Sequence, residues 1–185
     1  AFTGEANATF YGRLNTGSYG EVNSPVGLSG LTDGSYTYTV YQVDQAGNLS
    51  GTAMVAWVVD TTPPATPTLT RTAPASTPTN TTTATLTAGS VESGATLQYT
   101  TNGGTTWTNA PGNNNPIQLT GLTNGTTYNY AVRAVDAAGN ASASSNTVSW
   151  TVDTVAPATP TLTRTAPTST PTNTTTATLT AGSVE

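Results

Sequence analysis

The chain reads as an all-β protein built of tandem β-sandwich repeats of about 93 residues, one complete and two partial. Three observations carry this reading. Residues 65–92, ATPTLTRTAPASTPTNTTTATLTAGSVE, recur at 158–185 with one change, Ala75 to Thr168, so 27 of 28 positions match at a spacing of 93. Of the 185 residues 45 are Thr, and none is Lys, His or Cys; β-branched Thr suits a pleated, half-buried surface. Strand-like alternation between turn residues recurs about every 8–12 residues, the spacing of a sandwich or barrel, and no segment keeps a 3.6-residue apolar period.

The complete repeat spans 61–153. It opens on Pro63, Pro64 and Pro67, a stiff extended entry. Two strands follow, Pro67–Arg71 and Thr81–Thr87, each alternating around a leucine (Leu69, Leu86). Ala95–Trp107 is predicted as a hairpin centred on Asn102-Gly103-Gly104, since Asn-Gly between strand-like flanks favours a tight turn. Ile117 and Leu119 mark a short strand. Leu122 to Tyr128 turns into the longest one, in which Tyr128, Tyr130, Val132 and Ala134 share a face. Ala138-Gly139-Asn140 turns the chain again, and Val148, Trp150 and Val152 alternate in the last strand. That makes about seven strands.

Residues 1–60 correspond to the later part of a repeat whose first two strands, A and B, are missing. Residues 154–185 are strands A and B of a further unit. Without strand B, Phe10, Tyr36, Tyr38, Val40, Val55 and Trp57 are expected to face an open groove, with Leu162 and Leu179 the side chains that would fill it. Burying each such side chain is worth roughly 1.5–3 kcal/mol. Either the chain is a window on a longer covalent array, or residues 154–185 of one copy complete residues 1–60 of the next by strand complementation. We favour the first, because beaded arrays need no special assembly.

The stretch Tyr-x-Tyr-x-Val-x-x-Val-Asp-x-Ala-Gly-Asn-x-Ser occurs at 36–50 and again at 128–142. Each copy is followed by a Trp strand, a Val-Asp-Thr linker and prolines. In this the chain resembles the bacterial immunoglobulin-like repeats of large secreted surface adhesins. The resemblance covers the whole chain and implies an immunoglobulin-like sandwich, a secreted or cell-surface location and structural work as a spacer or filament shaft. Tyr128, six residues after Leu122, resembles the tyrosine corner of sandwich domains, whose hydroxyl bonds back to the preceding loop. Tyr36 matches it with one residue fewer in the loop.

Composition narrows the function classes. With no His, Lys or Cys, the usual bases and the thiol nucleophile are absent, and no pair of carboxylates is placed as a glycosidase needs; no enzyme is expected. A net charge of −5 with four scattered Arg argues against nucleic acid. No apolar run approaches the roughly 20 residues of a membrane-spanning helix. The chain begins at Ala1 without a signal peptide, as a mature, processed or excerpted chain would.

Two candidate sites remain. In an immunoglobulin-like array the junction after the first unit would gather Asp33, Asp60, Asp136 and Asn140, hard oxygen ligands of the kind calcium prefers. The resemblance points the same way, because junctions of such adhesins often bind calcium. Asn124 replaces Asp33 at the following junction, which should weaken it. Asp-x-Ala-Gly-Asn is equally good turn chemistry, with Asp bonding to its own backbone and Gly accepting positive φ, and that alone accounts for these residues. Trp107, at a hairpin edge, is the one aromatic suited to a sugar-binding platform for host or surface glycans; Trp57 and Trp150 alternate with valines and belong to the core. The expected partners are neighbouring repeats or further copies of the chain.

Overall fold

The computed structural model describes residues 1–113 and 115–182, so residues 183–185 of the predicted last unit lie outside the described residues. Among the described residues there are thirteen strands. The first sheet holds β1 (Thr9–Leu14), β2 (Gly20–Val22), β3 (Gly34–Val43) and β4 (Ala53–Val59), in the order β2-β1-β3-β4. Next come β5 (Thr68–Ala73), β6 (Ala84–Gly89), β7 (Thr96–Thr100), β8 (Thr108–Asn109), β9 (Ile117–Leu119), β10 (Thr127–Val135) and β11 (Val148–Thr151). A last hairpin joins β12 (Leu162–Ala166) to β13 (Thr178–Ala181). The fold is all-β, as predicted.

β5–β11 form a complete seven-stranded sandwich. A three-stranded sheet, β5-β6-β9, faces a four-stranded one, β11-β10-β7-β8. Alternation puts Leu69, Leu86, Ala88 and Ile117 of the first against Leu97, Tyr130, Val132 and Trp150 of the second, all buried in one cluster. In the constant-type immunoglobulin arrangement the fourth strand joins the first sheet. Here that strand, β8, pairs with β7 through Gln98↔Asn109 and Tyr99↔Thr108.

The β7–β8 hairpin differs from the tight turn expected at Asn102-Gly103. The return strand starts only at Thr108. Side chains hold the wider loop: Asn102 Oδ1 accepts from Thr100 Oγ1 at 2.8 Å and from the Thr106 amide at 3.0 Å, and Thr100 Oγ1 accepts from the Gly104 amide at 3.0 Å. Such local bonds compete with the ladder and lengthen the loop.

The first part forms a single four-stranded sheet and the last a two-stranded hairpin. In the first sheet Tyr36, Tyr38 and Val40 of β3 share a face with Val55 and Trp57 of β4 through the pairs Tyr36↔Trp57 and Tyr38↔Val55. These positions match Tyr128, Tyr130, Val132, Val148 and Trp150 of the complete sandwich. Among the described residues no second sheet covers that face. The β12–β13 hairpin repeats the β5–β6 hairpin in register, with Leu162↔Ala181 matching Leu69↔Ala88 and the irregularity at Arg164/Ala166 matching that at Arg71/Ala73.

Candidate functional site

The junction after the first sheet is held by side chains that turn chemistry puts in place. Asp136 and Asn140 close the turn between β10 and β11. The Asn140 amide donates to Asp136 Oδ1 at 2.8 Å and Asn140 Nδ2 to Asp136 Oδ2 at 2.9 Å. Gly139 takes φ 95°, in the left-handed region where glycine is at ease. Asp44 and Asn48 repeat the same two bonds after β3, at 2.8 and 2.7 Å. Asn140 Nδ2 also donates to the carbonyl oxygen of Asp60 at 2.9 Å, so one amide ties the turn of the second unit to the end of the first.

Asp33 grips the linker from the other side. Its Oδ1 accepts from the Thr61 amide at 2.9 Å and from Thr61 Oγ1 at 2.6 Å, and its Oδ2 accepts from Thr62 Oγ1 at 2.6 Å. Asp60 Oδ1 takes the Thr62 amide at 3.0 Å. The threonine hydroxyls hold the Asp33 carboxyl below the usual carboxylate range, and the Asn140 and Asn48 side chains do the same for Asp136 and Asp44. Each partner favours the charged form. At the next junction Asn124 Oδ1 accepts one bond, from the Thr154 amide at 2.6 Å, and Asp153 Oδ1 takes the Val155 amide at 3.0 Å.

The four residues expected to bind calcium take part in a hydrogen-bond clasp, Asn140 joining Asp136 to the Asp60 carbonyl and Asp33 holding Thr61 and Thr62. Both oxygens of Asp33 and of Asp136 already accept from protein donors, and among the described residues no three acidic side chains gather as a metal site. Calcium takes six to eight oxygen ligands; in this arrangement the Asp33 and Asp136 oxygens face protein donors instead.

Both tyrosine corners form, with opposite polarity. Tyr128 Oη accepts from the Thr123 amide at 2.8 Å. Tyr36 Oη donates to the Thr32 carbonyl at 2.8 Å. The loop one residue shorter before Tyr36 presents a carbonyl where the longer one presents an amide.

The open face of the first sheet forms a groove of about 310 Å³. Of the side chains expected there, Tyr38, Val40, Val55 and Trp57 line it, joined by Val26 and Leu28. Phe10 and Tyr36 do not. Phe10 lies under Phe2, ring centroids 4.8 Å apart, and Tyr36 stacks on Trp57 at 5.7 Å while its hydroxyl is held by Thr32. Phe2 could have been suspected only from its position beside Phe10 in space, which no spacing in the sequence reveals.

Trp107 is half-buried on the outer side of the four-stranded sheet. The Arg133 guanidinium lies over its ring at 4.6 Å, and Arg133 Nε donates to Gln98 Oε1 at 2.8 Å. One ring face is thus taken by a cation. Trp150, expected in the core, is there, 1% exposed and stacked on both Tyr128 and Tyr130 at 5.6 Å. No described helix is long and apolar enough to cross a membrane.

No protein-family model matches the chain. Chitinase A1 of Niallia circulans is 42% identical over 128 residues, covering 66% of this chain and 18% of the chitinase. The chain thus spans under a fifth of that relative's length. Among solved structures, the FN1–FN3 domains of chicken CNTN1 align with TM-score 0.44 and 15% identity over 80% of this chain and 56% of that one. The fibronectin(III)-like modules of Clostridium thermocellum CbhA align with TM-score 0.43 and 18% identity over 82% of each chain.

Proposed function

We propose that this chain is a structural spacer, a stretch of an extracellular array of sandwich modules that holds other parts of a protein at a set distance, as in the shaft of a bacterial adhesin or surface filament. The observation that carries the proposal is the clasped junction: Asn140 bonds across it to Asp60, and Asp33 holds both linker threonines. A linker tied at both ends loses bending freedom that a free one keeps. The prolines at 63, 64 and 67 act in the same direction. Small-angle scattering tests it. The Asp33→Ala/Asn140→Ala double variant should show a broader spread of sizes than the unaltered chain, and identical profiles would count against the proposal.

The similarity to a chitinase favours a second setting for the same work, a spacer module within a secreted glycan-acting protein. Direct sugar binding through Trp107 is a distinct reading. Sedimentation with insoluble chitin separates the two: a spacer stays in solution, whereas a binding module sediments and loses that binding in Trp107→Ala.

A further inference from the structure

We infer that Asn102 is a self-modifying site, where the side-chain amide is lost to attack by the Gly103 nitrogen and the tip of the β7–β8 hairpin turns over to aspartate or isoaspartate. The reaction needs only water, and it proceeds whether or not the chain acts as a spacer.

The chain holds two Asn-Gly steps, Asn102-Gly103 and Asn124-Gly125. Glycine has no Cβ to shield its own nitrogen, so both steps are open to the same chemistry in an unfolded chain. Exposure does not separate them, since all four residues are exposed. Hydrogen bonding does. The Gly125 amide donates to the Val152 carbonyl at 2.8 Å, and the Val152 amide returns a bond to the Thr126 carbonyl at 3.1 Å. The nucleophile of that step is therefore strapped to the end of the last strand of the middle sandwich. The Gly103 amide donates to no acceptor among the described residues.

The Asn102 side chain is also prepared for attack. Its Oδ1 accepts from Thr100 Oγ1 at 2.8 Å and from the Thr106 amide at 3.0 Å. Thr100 is 3% exposed. Its hydroxyl oxygen is fixed in turn by the Gly104 amide at 3.0 Å and the Asn102 amide at 3.3 Å. Two fixed donors thus meet the oxygen on which negative charge develops when Cγ is attacked. Donors already in place stabilise such an oxyanion without reorganisation, and in enzymes losing one slows acyl transfer by roughly a hundredfold or more. Asn124 Oδ1 accepts from one donor, the Thr154 amide.

The atoms balance with water alone. The Gly103 nitrogen bonds to Asn102 Cγ, forming a tetrahedral centre with its negative charge on Oδ1. The Cγ–Nδ2 bond breaks, and Nδ2 leaves as ammonia with the proton given up by the Gly103 nitrogen. The cyclic imide that remains takes up one water. Opening at Cγ gives aspartate; opening at the main-chain carbonyl gives isoaspartate. Thr105 Oγ1 donates to that main-chain carbonyl oxygen at 3.1 Å, which polarises the carbon leading to isoaspartate. Either product adds a negative charge to a chain of net charge −5. Isoaspartate also lengthens the backbone by one carbon in the loop that carries Trp107. Nδ2, which donates to Thr106 Oγ1 at 2.9 Å, is gone in both.

Ageing the purified chain at mildly alkaline pH tests this. Both steps lie in the tryptic peptide between Arg71 and Arg133, so fragmentation of that peptide in a mass spectrometer assigns the gain of one mass unit to its residue. Asn102 should convert at least tenfold faster than Asn124, with isoaspartate the larger product. Thr100→Val keeps the shape of the buried side chain and removes its hydroxyl; it should slow Asn102 several-fold, and Thr100→Ser should restore the rate. Circular dichroism checks that each variant folds, and the comparison of the two sites within the unaltered chain depends on no variant. Conversion of Asn102 no faster than that of Asn124 would overturn the inference. So would faster conversion in folded Thr100→Val, because the loop would then shield the amide rather than activate it.

Discussion

Asn140 Nδ2 donates to the carbonyl oxygen of Asp60, 80 residues earlier, at 2.9 Å. The same nitrogen donates to Asp136 Oδ2, so the bond across the junction is braced by the turn that carries it. A typical hydrogen bond of this kind contributes about 0.5–1.5 kcal/mol net. Asn140→Ala should therefore lower the stability of the middle sandwich by about 1–2 kcal/mol, measured by urea denaturation, and should loosen the junction. Asn48→Ala removes the matching brace of Asp44 and should leave that junction unaffected.

Acid should undo the clasp. Asp33 has a lowered pKa because Thr61 and Thr62 donate to its carboxylate, and Asp136 and Asp44 because Asn140 and Asn48 do. A depressed folded-state pKa gives stability that is fully present above the unfolded carboxylate value of about 3.9 and is lost as pH falls through the folded one. Stability should be flat from pH 7 to about 5 and decline below about 4. Asp33→Asn should flatten part of that decline in a thermal scan against pH.

Calcium should have no effect on the junction. The Asp33 and Asp136 oxygens are already committed to protein donors. The melting temperature should be unchanged between EDTA and millimolar calcium. A rise with calcium would restore the cation reading of Asp33, Asp60, Asp136 and Asn140.

The two Trp strands should respond unequally. Trp150 is 1% exposed between two tyrosines, and Trp150→Ala should cost about 3–5 kcal/mol. Its indole nitrogen is buried without a partner among the described residues, so Trp150→Phe removes an unsatisfied donor and should cost less than half as much. Trp57 lines the open groove, and Trp57→Ala should cost less than Trp150→Ala in the isolated chain at low concentration. Denaturant titration with fluorescence from the remaining tryptophans measures all three.

Much of this was legible in the sequence because sandwich cores announce themselves by alternation. Val148, Trp150 and Val152, or Leu69 and Leu86, carry their burial in their spacing. The 93-residue period matched the β12–β13 hairpin to the β5–β6 hairpin, whose register it repeats. Tyr128 and Tyr36 were legible as corners, though not the reversal of donor and acceptor, which depends on one residue of loop length. Phe2 over Phe10 and Arg133 over Trp107 were not legible, since no periodicity or motif links either pair: Phe2 lies outside any strand, and Arg133 reaches Trp107 from a different strand. Topology anticipated Asn140 beside Asp60 and Asp33 beside the linker. Whether their oxygens turn to a cation or to Thr61 and Thr62 is a matter of side-chain geometry, which spacing does not encode.

The central claim, a junction fixed by the Asp33 and Asn140 clasp, is tested most directly by the distance between spin labels on its two sides. Ser35 and Ser149 are exposed, one on each side, and the chain has no cysteine to interfere. Double electron–electron resonance on Ser35→Cys/Ser149→Cys should give a single narrow distance distribution that broadens when Asp33→Ala and Asn140→Ala are added. A broad distribution in the otherwise unaltered chain would contradict the account.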